Sequence, residues 1–151
     1  MKSLMPILIR LMNDEDKNFI HSTWTTNMYS AKPHSFSAWS LFCKHQDDLI
    51  EDIFTISKTL VACLAEDPET ILGYLTYSYM DTLIVHFGYI KNNFRKNKIM
   101  SDLLEAADPQ YKKKLIIFTQ TTKSYSSLAE KYTITYDPWC IDMLLTIKEN
   151  Q

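Results

Sequence analysis

The chain has 151 residues, of which 46% are hydrophobic and 23% charged, and its formal net charge is −2. This length suits one domain, which we place over residues 1–151, and it allows roughly 68–70% of the unfolded chain's surface to be buried. The small negative charge offers no basic excess for a nucleic-acid partner. No apolar run is long enough to span a bilayer, so we also expect no membrane partner.

Cysteine, histidine and glycine usage excludes further classes. The cysteines are three, Cys43, Cys63 and Cys140, without a CxxC pair, so we expect reduced thiols. The histidines, His21, His34, His45 and His86, lack paired ligand spacing, and we expect no metal site. The start of the chain has no signal-peptide core, which predicts a cytoplasmic protein. Only Gly73 and Gly88 are glycines, which excludes a P-loop and a GxGxxG fingerprint.

The first half of the chain predicts a strand, helices and a hairpin. Met5–Met12 reads as a strand, and Asn13 followed by three acidic residues predicts the start of a helix that ends near Tyr29. Pro33 then breaks the helical pattern. The elements predicted next are one or two helices in Phe36–Thr55, a strand in Thr59–Ala65, a turn in Glu66–Thr70 and a strand in Ile71–Met80.

The stretch from 81 to 107 carries the strongest pattern. Leu83–Ile90 is β-branched and aromatic at consecutive positions, which is typical of a strand buried on both faces. Apolar residues from Ile99 to Ala107 have the spacing of an amphipathic helix. A basic turn, Arg95-Lys96-Asn97-Lys98, joins the two. Free backbone N–H groups at a helix start beside positive charge form an anion site, which predicts phosphate binding. The alternative is a solvated basic turn with no ligand.

The remainder alternates again between strands and helices. Leu115–Thr121 predicts a buried strand, Thr122–Lys131 a short helix and Thr133–Tyr136 a closing strand, followed by an apolar segment, Trp139–Ile147.

Two segments resemble motifs of the GNAT superfamily of N-acyltransferases. Residues 89–104, YIKNNFRKNKIMSDLL, resemble its acyl-CoA motif, R/Q-x-x-G-x-G/A between a strand and a helix; Arg95 matches, and Lys98 and Met100 replace the glycines. Residues 122–132, TKSYSSLAEKY, resemble N-x-x-A-x-x-L-Y-E-K-L-G-F, with Ala129 at the family's tyrosine. The opening EDKNFIHSTW and the closing YDPW are also similar to small GNAT-like proteins of tailed bacteriophages.

The resemblance implies an α/β (α+β) fold, GNAT-like, with a mixed, mainly antiparallel central sheet and helices on both faces. It also implies transfer of an acetyl group from acetyl-CoA to an amine of an unidentified small molecule or protein. The residues expected to bind acetyl-CoA are Tyr89, Ile90, Arg95, Lys96, Asn97, Lys98, Ile99 and Met100.

Two side chains are candidates for catalysis. His86 lies in the central strand on the parity of Ile84, Gly88 and Ile90, where it could act as a base; the alternative is a hydrogen-bonded core histidine. Tyr125, on the short helix, could protonate the leaving thiolate or only fill space. The alternative function is a catalytically inactive GNAT-fold interaction protein, for example a phage protein that binds a target in the host cytoplasm.

Overall fold

The computed structural model of the protein describes residues 6–30, 38–121 and 125–151. In chain order they form β1 (Ile7–Leu11), α1 (Lys17–Ser30), α2 (Trp39–Phe54), β2 (Lys58–Leu64), β3 (Asp67–Tyr79), β4 (Leu83–Ile90), α3 (Ile99–Ala107), β5 (Ile116–Phe118), α4 (Tyr125–Lys131), β6 (Ile134–Tyr136) and α5 (Trp139–Glu149). Met5, the break at Pro33, Phe36 and the first residues of the predicted helix Thr122–Lys131 lie outside the described residues.

One mixed sheet contains all of these strands, in the order β1-β2-β3-β4-β5-β6. The pairs from β1 to β4 are antiparallel. The β4–β5 and β5–β6 pairs are parallel. A parallel neighbour requires a crossover connection, and the chain passes through α3 and then α4 to make the two that are needed. The predicted fold class, a mixed and mainly antiparallel sheet, is therefore confirmed.

Helices cover both faces of the sheet, so β4 is buried on both sides. On one face, α1 and α2 pack through Ile20, Trp24, Phe42, Ile50 and Ile53 onto Tyr74 and Phe87. On the other face, α3 packs through Ile99, Leu103 and Leu104 onto Leu72, Leu75, Leu83 and Val85. The apolar stripe that predicted an amphipathic helix is thus the face of α3 that lies on the sheet.

The predicted helix start at Asn13 is confirmed in its hydrogen bonds. The Asn13 side chain accepts from the Glu15 N–H, and the Asp16 carboxylate accepts from the Asn13 N–H at 2.8 Å. Asp16 also accepts two hydrogen bonds from Arg10, at 2.7 and 2.9 Å. These bonds outweigh the opposing effect of burial and lower the Asp16 pKa. The chain enters α1 through a 3-10 turn, Asp14–Asp16, tied in this way to β1.

Several predicted boundaries differ from the observed ones. The predicted turn Glu66–Thr70 is wrong beyond its first residue, because β3 begins at Asp67 and pairs there with Leu64. The register between β2 and β3 shifts at this point, and a bulge is where a strand tolerates a residue such as Pro68. Helix α2 is continuous, and β5 has three residues in place of the predicted seven of Leu115–Thr121. The apolar C-terminal segment forms α5.

None of the helices within the described ranges is long and apolar enough to cross a membrane. The same part of the chain contains no group of three or more His, Cys, Asp or Glu side chains arranged to hold a metal ion.

Candidate functional site

Strands β4 and β5 pair over only two positions and then diverge. Ile84 and Val85 pair with Ile117 and Phe118, and the last bond of this ladder runs from the Thr119 N–H to the Val85 carbonyl at 3.0 Å. β4 continues to Ile90, still paired with β3, while β5 ends at Phe118. We call the opening between the two strands the fork.

A β-bulge in β4 lies where the fork opens. Phe87 pairs with Thr76 of β3, whereas the next residue of β3, Tyr77, pairs with Val85, so His86 is an extra residue in β4. The predicted shared parity of His86 with Gly88 and Ile90 is therefore wrong. The bulge shifts the alternation: Phe87 packs on the α1 side, while Ile90 packs on the α3 side together with Val85.

Beyond the bulge, backbone groups of β4 point into the fork. The Lys91 N–H donates to the Leu72 carbonyl at 2.8 Å, and Gly73 pairs with Ile90. In an antiparallel ladder this makes Gly73–Ile90 a non-hydrogen-bonded pair, so the N–H and C=O of Ile90 and Gly88 point away from β3. The Ile90 carbonyl accepts from Arg95 Nε at 3.0 Å. The fork therefore presents the Ile90 N–H and both backbone groups of Gly88.

The basic turn ends in an uncapped helix start. Lys98 has φ 59° and ψ 20°, the left-handed conformation that glycine adopts most easily, and it stands at a glycine position of the resembled motif. α3 begins at Ile99 without a side-chain cap, so its first N–H groups have no helical partner. The side chains from Arg95 to Lys98 are exposed. The turn thus combines a left-handed residue with an uncapped helix start although it contains no glycine.

These observations place seven of the eight predicted acetyl-CoA residues along one path, from the end of β4 through the turn to the first residues of α3. Tyr89 is the exception. Its backbone pairs with Tyr74, and its ring packs against Phe19 and Tyr74, with centroids 6.1 and 5.8 Å away. Tyr89 therefore faces the α1 side of the sheet, away from the basic turn.

The fork is nearly closed by apolar side chains. It is lined by Leu75, Val85, His86, Phe87, Gly88, Met100, Leu104, Phe118, Gln120 and Leu128. A cavity of about 30 Å³ remains, room for about one water molecule. Met100 lies directly over Gly88, since a Cβ atom added to that glycine would be 2.7 Å from Met100 Cε. The remaining space is too small for a chain-like ligand, so lining side chains must move to admit one, and Met100 is the side chain that contacts Gly88 on the α3 face.

His86 is buried, with 1% of its surface exposed, and both ring nitrogens are hydrogen-bonded. Nε2 lies 2.8 Å from Ser78 Oγ, and Nδ1 lies 2.9 Å from Thr119 Oγ1. Because Ser78 donates its single proton to the Ile56 carbonyl, it must accept from His86 Nε2–H, and Thr119 then donates to Nδ1. Burial lowers the pKa of His86 to about 4. The ring is neutral at pH 7 and bridges β3, β4 and the end of β5.

Tyr125 does not meet His86. It is the first residue of α4, and its ring packs edge-on against Phe118, with centroids 5.7 Å apart. His86 forms a hydrogen bond with Thr119, the residue that follows Phe118 in the chain. The two candidate side chains therefore contact different residues, and the described residues do not bring these side chains together.

A polar side chain in the fork was missed by sequence reasoning. Gln120 is 8% exposed and lines the fork, and its Oε1 accepts from Trp24 Nε1 at 3.1 Å. Its Nε2 has no hydrogen-bond partner in the part of the chain that the structure describes. A polar residue near the end of the predicted strand Leu115–Thr121 was the available signal, but the contact with Trp24 spans 96 positions of sequence.

Similarity to known proteins is found at the level of structure. No family model matches the sequence, and no curated protein sequence matches it significantly. A Pyrococcus furiosus protein, itself provisionally assigned as an acetyl transferase, is 18% identical, with 82% of this chain and 90% of that chain covered and a TM-score of 0.63. A ribosomal-protein-alanine N-acetyltransferase from Brucella melitensis is 11% identical, over 82% and 87% of the chains, with a TM-score of 0.53.

A third structure, a GNAT family acetyltransferase from Brucella melitensis in complex with acetyl-CoA, is 11% identical, over 83% of this chain and 82% of that one, with a TM-score of 0.50. Identities this low are informative about the fold alone. The chain therefore has the fold of the GNAT acetyltransferases.

Proposed function

We propose that this protein is an N-acetyltransferase that moves the acetyl group of acetyl-CoA directly to the amine of an unidentified small molecule or protein. The observation that carries the proposal is the fork, because β5 does not pair with the backbone hydrogen-bonding groups of β4 beyond Val85, and these groups lie beside an uncapped helix start. A GNAT-fold acetyltransferase complexed with acetyl-CoA supports the choice of ligand.

Successive residues of β4, the basic turn and α3 match successive parts of acetyl-CoA, from the pantetheine arm to the pyrophosphate. Gly88 and Ile90 offer backbone groups to the amides of the pantetheine arm. The free N–H groups at the start of α3, from Ile99 and Met100, suit the pyrophosphate, since a helix N-terminus attracts anions. Lys96 and Lys98 add exposed positive charge, and Asn97 lies between them in the turn. Arg95 holds the strand end through Ile90 and has further guanidinium N–H groups for a phosphate.

The base and the acid of the reaction stay predictions at His86 and Tyr125. The occupied nitrogens of His86 favour its alternative role as a structural histidine, because a base needs a free acceptor nitrogen. Tyr125 is partly exposed at the start of α4, so its side chain is accessible to a ligand.

A GNAT-fold interaction protein without catalysis is the second candidate. Three observations favour it: the hydrogen-bonded His86, the nearly closed fork and Asp102, whose negative charge lies in the first turn of α3. This second candidate predicts that acetyl-CoA either does not bind or binds without transfer of its acetyl group. The two candidates are separated by measuring binding and turnover independently.

Acetyl-CoA should stabilise the fold if the fork binds it. At about 100 times its dissociation constant, a ligand that binds only the folded state adds about 2.7 kcal/mol to the free energy of unfolding. A thermal-shift titration measures this, with acetate and inorganic pyrophosphate as controls that lack the pantetheine arm. Release of free thiol with a panel of amines then tests transfer. Absence of a shift at millimolar acetyl-CoA contradicts the proposal; a shift without thiol release favours the second candidate.

Met100→Ala should bind acetyl-CoA more tightly than the wild type. The shorter side chain uncovers the Gly88 backbone, which the ligand must otherwise reach by displacing Met100. Met100→Leu is the matched control, because leucine has a similar volume and keeps the fork covered. Calorimetric titration of all three proteins measures the effect. Weaker binding by the alanine variant would mean that Met100 contacts the ligand and does not obstruct it.

Substitutions in the basic turn should separate backbone shape from charge. Lys96→Ala and Lys98→Ala remove exposed, screened charges and should weaken acetyl-CoA binding only slightly. Lys98→Gly should bind at least as well as wild type and raise the free energy of unfolding by about 1 kcal/mol, since glycine adopts φ 59° without strain. Arg95→Ala should cost on the order of 1.5–3 kcal/mol of binding. Equal affinities across the whole series would place the phosphate site elsewhere.

His86 should make stability depend on pH between about 4 and 6.5. Its folded pKa of about 4 lies below the unfolded value, so the unfolded state binds the proton first as pH falls. The contribution of neutral His86 to the free energy of unfolding is complete above pH 6.5. It is lost as the pH falls from 6.5 to 4, by about 3 kcal/mol in total. His86→Gln should remove this part of the slope in urea unfolding measured from pH 4 to pH 7. An unchanged slope would mean that His86 titrates normally.

A further inference from the structure

We infer that Gln120 donates a hydrogen bond to the carbonyl oxygen of the acyl thioester, an inference that rests on the proposed function. Three observations carry it: the burial of the side chain, the fixed orientation of its amide, and its place in the fork. Each observation limits the kind of ligand group that could bind to the Gln120 amide.

The orientation of the Gln120 amide follows from its partner. The indole N–H of Trp24 can only donate, so the group that faces it at 3.1 Å must be Oε1, which leaves the NH2 group on the other side. Trp24 is fully buried and stacks on Phe87, with ring centroids 4.9 Å apart and planes 8° from parallel. The position of the tryptophan is therefore fixed by its packing, and its hydrogen bond fixes the orientation of the Gln120 amide.

The NH2 group is a buried donor, and the described residues offer it no acceptor. Gln120 is 8% exposed, and no group within residues 6–30, 38–121 and 125–151 forms a hydrogen bond with its Nε2. Leaving such a donor unpaired costs free energy, which a ligand with an acceptor atom recovers when it binds. The site is therefore complementary to an acceptor.

The position of Gln120 selects which acceptor. It comes two residues after β5 ends, where the strands of the fork separate, and it lines the same space as Gly88. The other lining side chains are mainly apolar, which disfavours a charged group such as a phosphate. The basic turn, where the phosphates are proposed to bind, lies at the opposite end of the β4 segment, after Ile90. The neutral carbonyl at the acyl end of the pantetheine arm is the acceptor that fits.

The donor acts on the atom that gains charge during transfer. The amine nitrogen forms a bond to the carbonyl carbon, and the C=O π pair moves to the oxygen, which the Gln120 N–H stabilises. The pair then returns as the C–S bond breaks, and CoA leaves as a thiolate. The proton lost by the nitrogen balances the thiolate, giving the amide and CoA thiol. Gln120 exchanges no proton in these steps.

Comparison of acetyl-CoA with CoA tests the inference, because only acetyl-CoA has the thioester carbonyl. We expect the wild type to bind acetyl-CoA about five- to tenfold more tightly than CoA, the size of one net hydrogen bond. Gln120→Met should lose this preference and keep the wild-type affinity for CoA. Gln46→Met is the matched control. Gln46 is also a buried glutamine, and one of its amide atoms has no partner among the described residues, but it lies on α2 and does not line the fork.

A second measurement already tests the inference on the wild type. The infrared band of acetyl-CoA carrying ¹³C at the thioester carbonyl should move to lower frequency on binding to the wild type, as a hydrogen-bonded carbonyl does. It should move less in Gln120→Met and fully in Gln46→Met. An unshifted band in the wild type overturns the inference even if the variant does not fold.

The failures are distinguishable. Equal weakening of CoA and acetyl-CoA in Gln120→Met would assign the amide to the pantetheine arm, and a retained preference for acetyl-CoA would show that another donor holds the carbonyl. Either result overturns the inference and leaves the proposed function standing. If neither ligand binds the wild type, both fail.

Discussion

The β-bulge at His86 is the feature on which the site depends. One extra residue in β4 ends its pairing with β5 after Val85 and turns the backbone groups of Gly88 and Ile90 into the fork. An opening of this kind needs support, because a parallel ladder of two positions is weak by itself. His86 supplies it: its ring joins Ser78 of β3 to Thr119 at the end of β5, inside the core. The residue that interrupts the sheet also ties its strands together.

The elements that were predictable have a local cause. Leu83–Ile90 is apolar at consecutive positions, as expected of a strand with helices on both faces. Burial of β4 could therefore be predicted without knowing which helices pack on it. The stripe from Ile99 to Ala107 follows directly from the helical period. The basic turn between them was correctly predicted as the connection, and even the conformational demand on Lys98 could be anticipated from the glycine that it replaces. The fold class then followed from the order of the elements and the motif resemblance.

What was not predictable depends on distant contacts. The bulge is set by the register between β3 and β4, so the parity of His86 could not be read from alternation within β4 alone. The segment after Glu66 contains turn-forming residues, yet pairing with β2 makes Asp67 the start of a strand. Gln120 is informative only through Trp24, which lies in α1, far away in sequence. Local patterns locate elements, whereas the chemistry of the fork arises where elements from both halves of the chain meet.

The two departures from the resembled motif have opposite physical consequences. Lys98 adopts the left-handed conformation in place of glycine, which costs on the order of 1 kcal/mol but preserves the path of the turn and the free amides of α3. Met100 leaves the backbone path intact as well, yet its side chain fills the fork over Gly88. The turn is therefore compatible with a phosphate as it stands, while the fork must repack for a pantetheine arm. Methionine suits a surface that repacks, since its unbranched side chain has several accessible rotamers. If the protein binds acetyl-CoA as we propose, the displacement of this one side chain should influence the affinity more than the two exposed lysine charges of the turn.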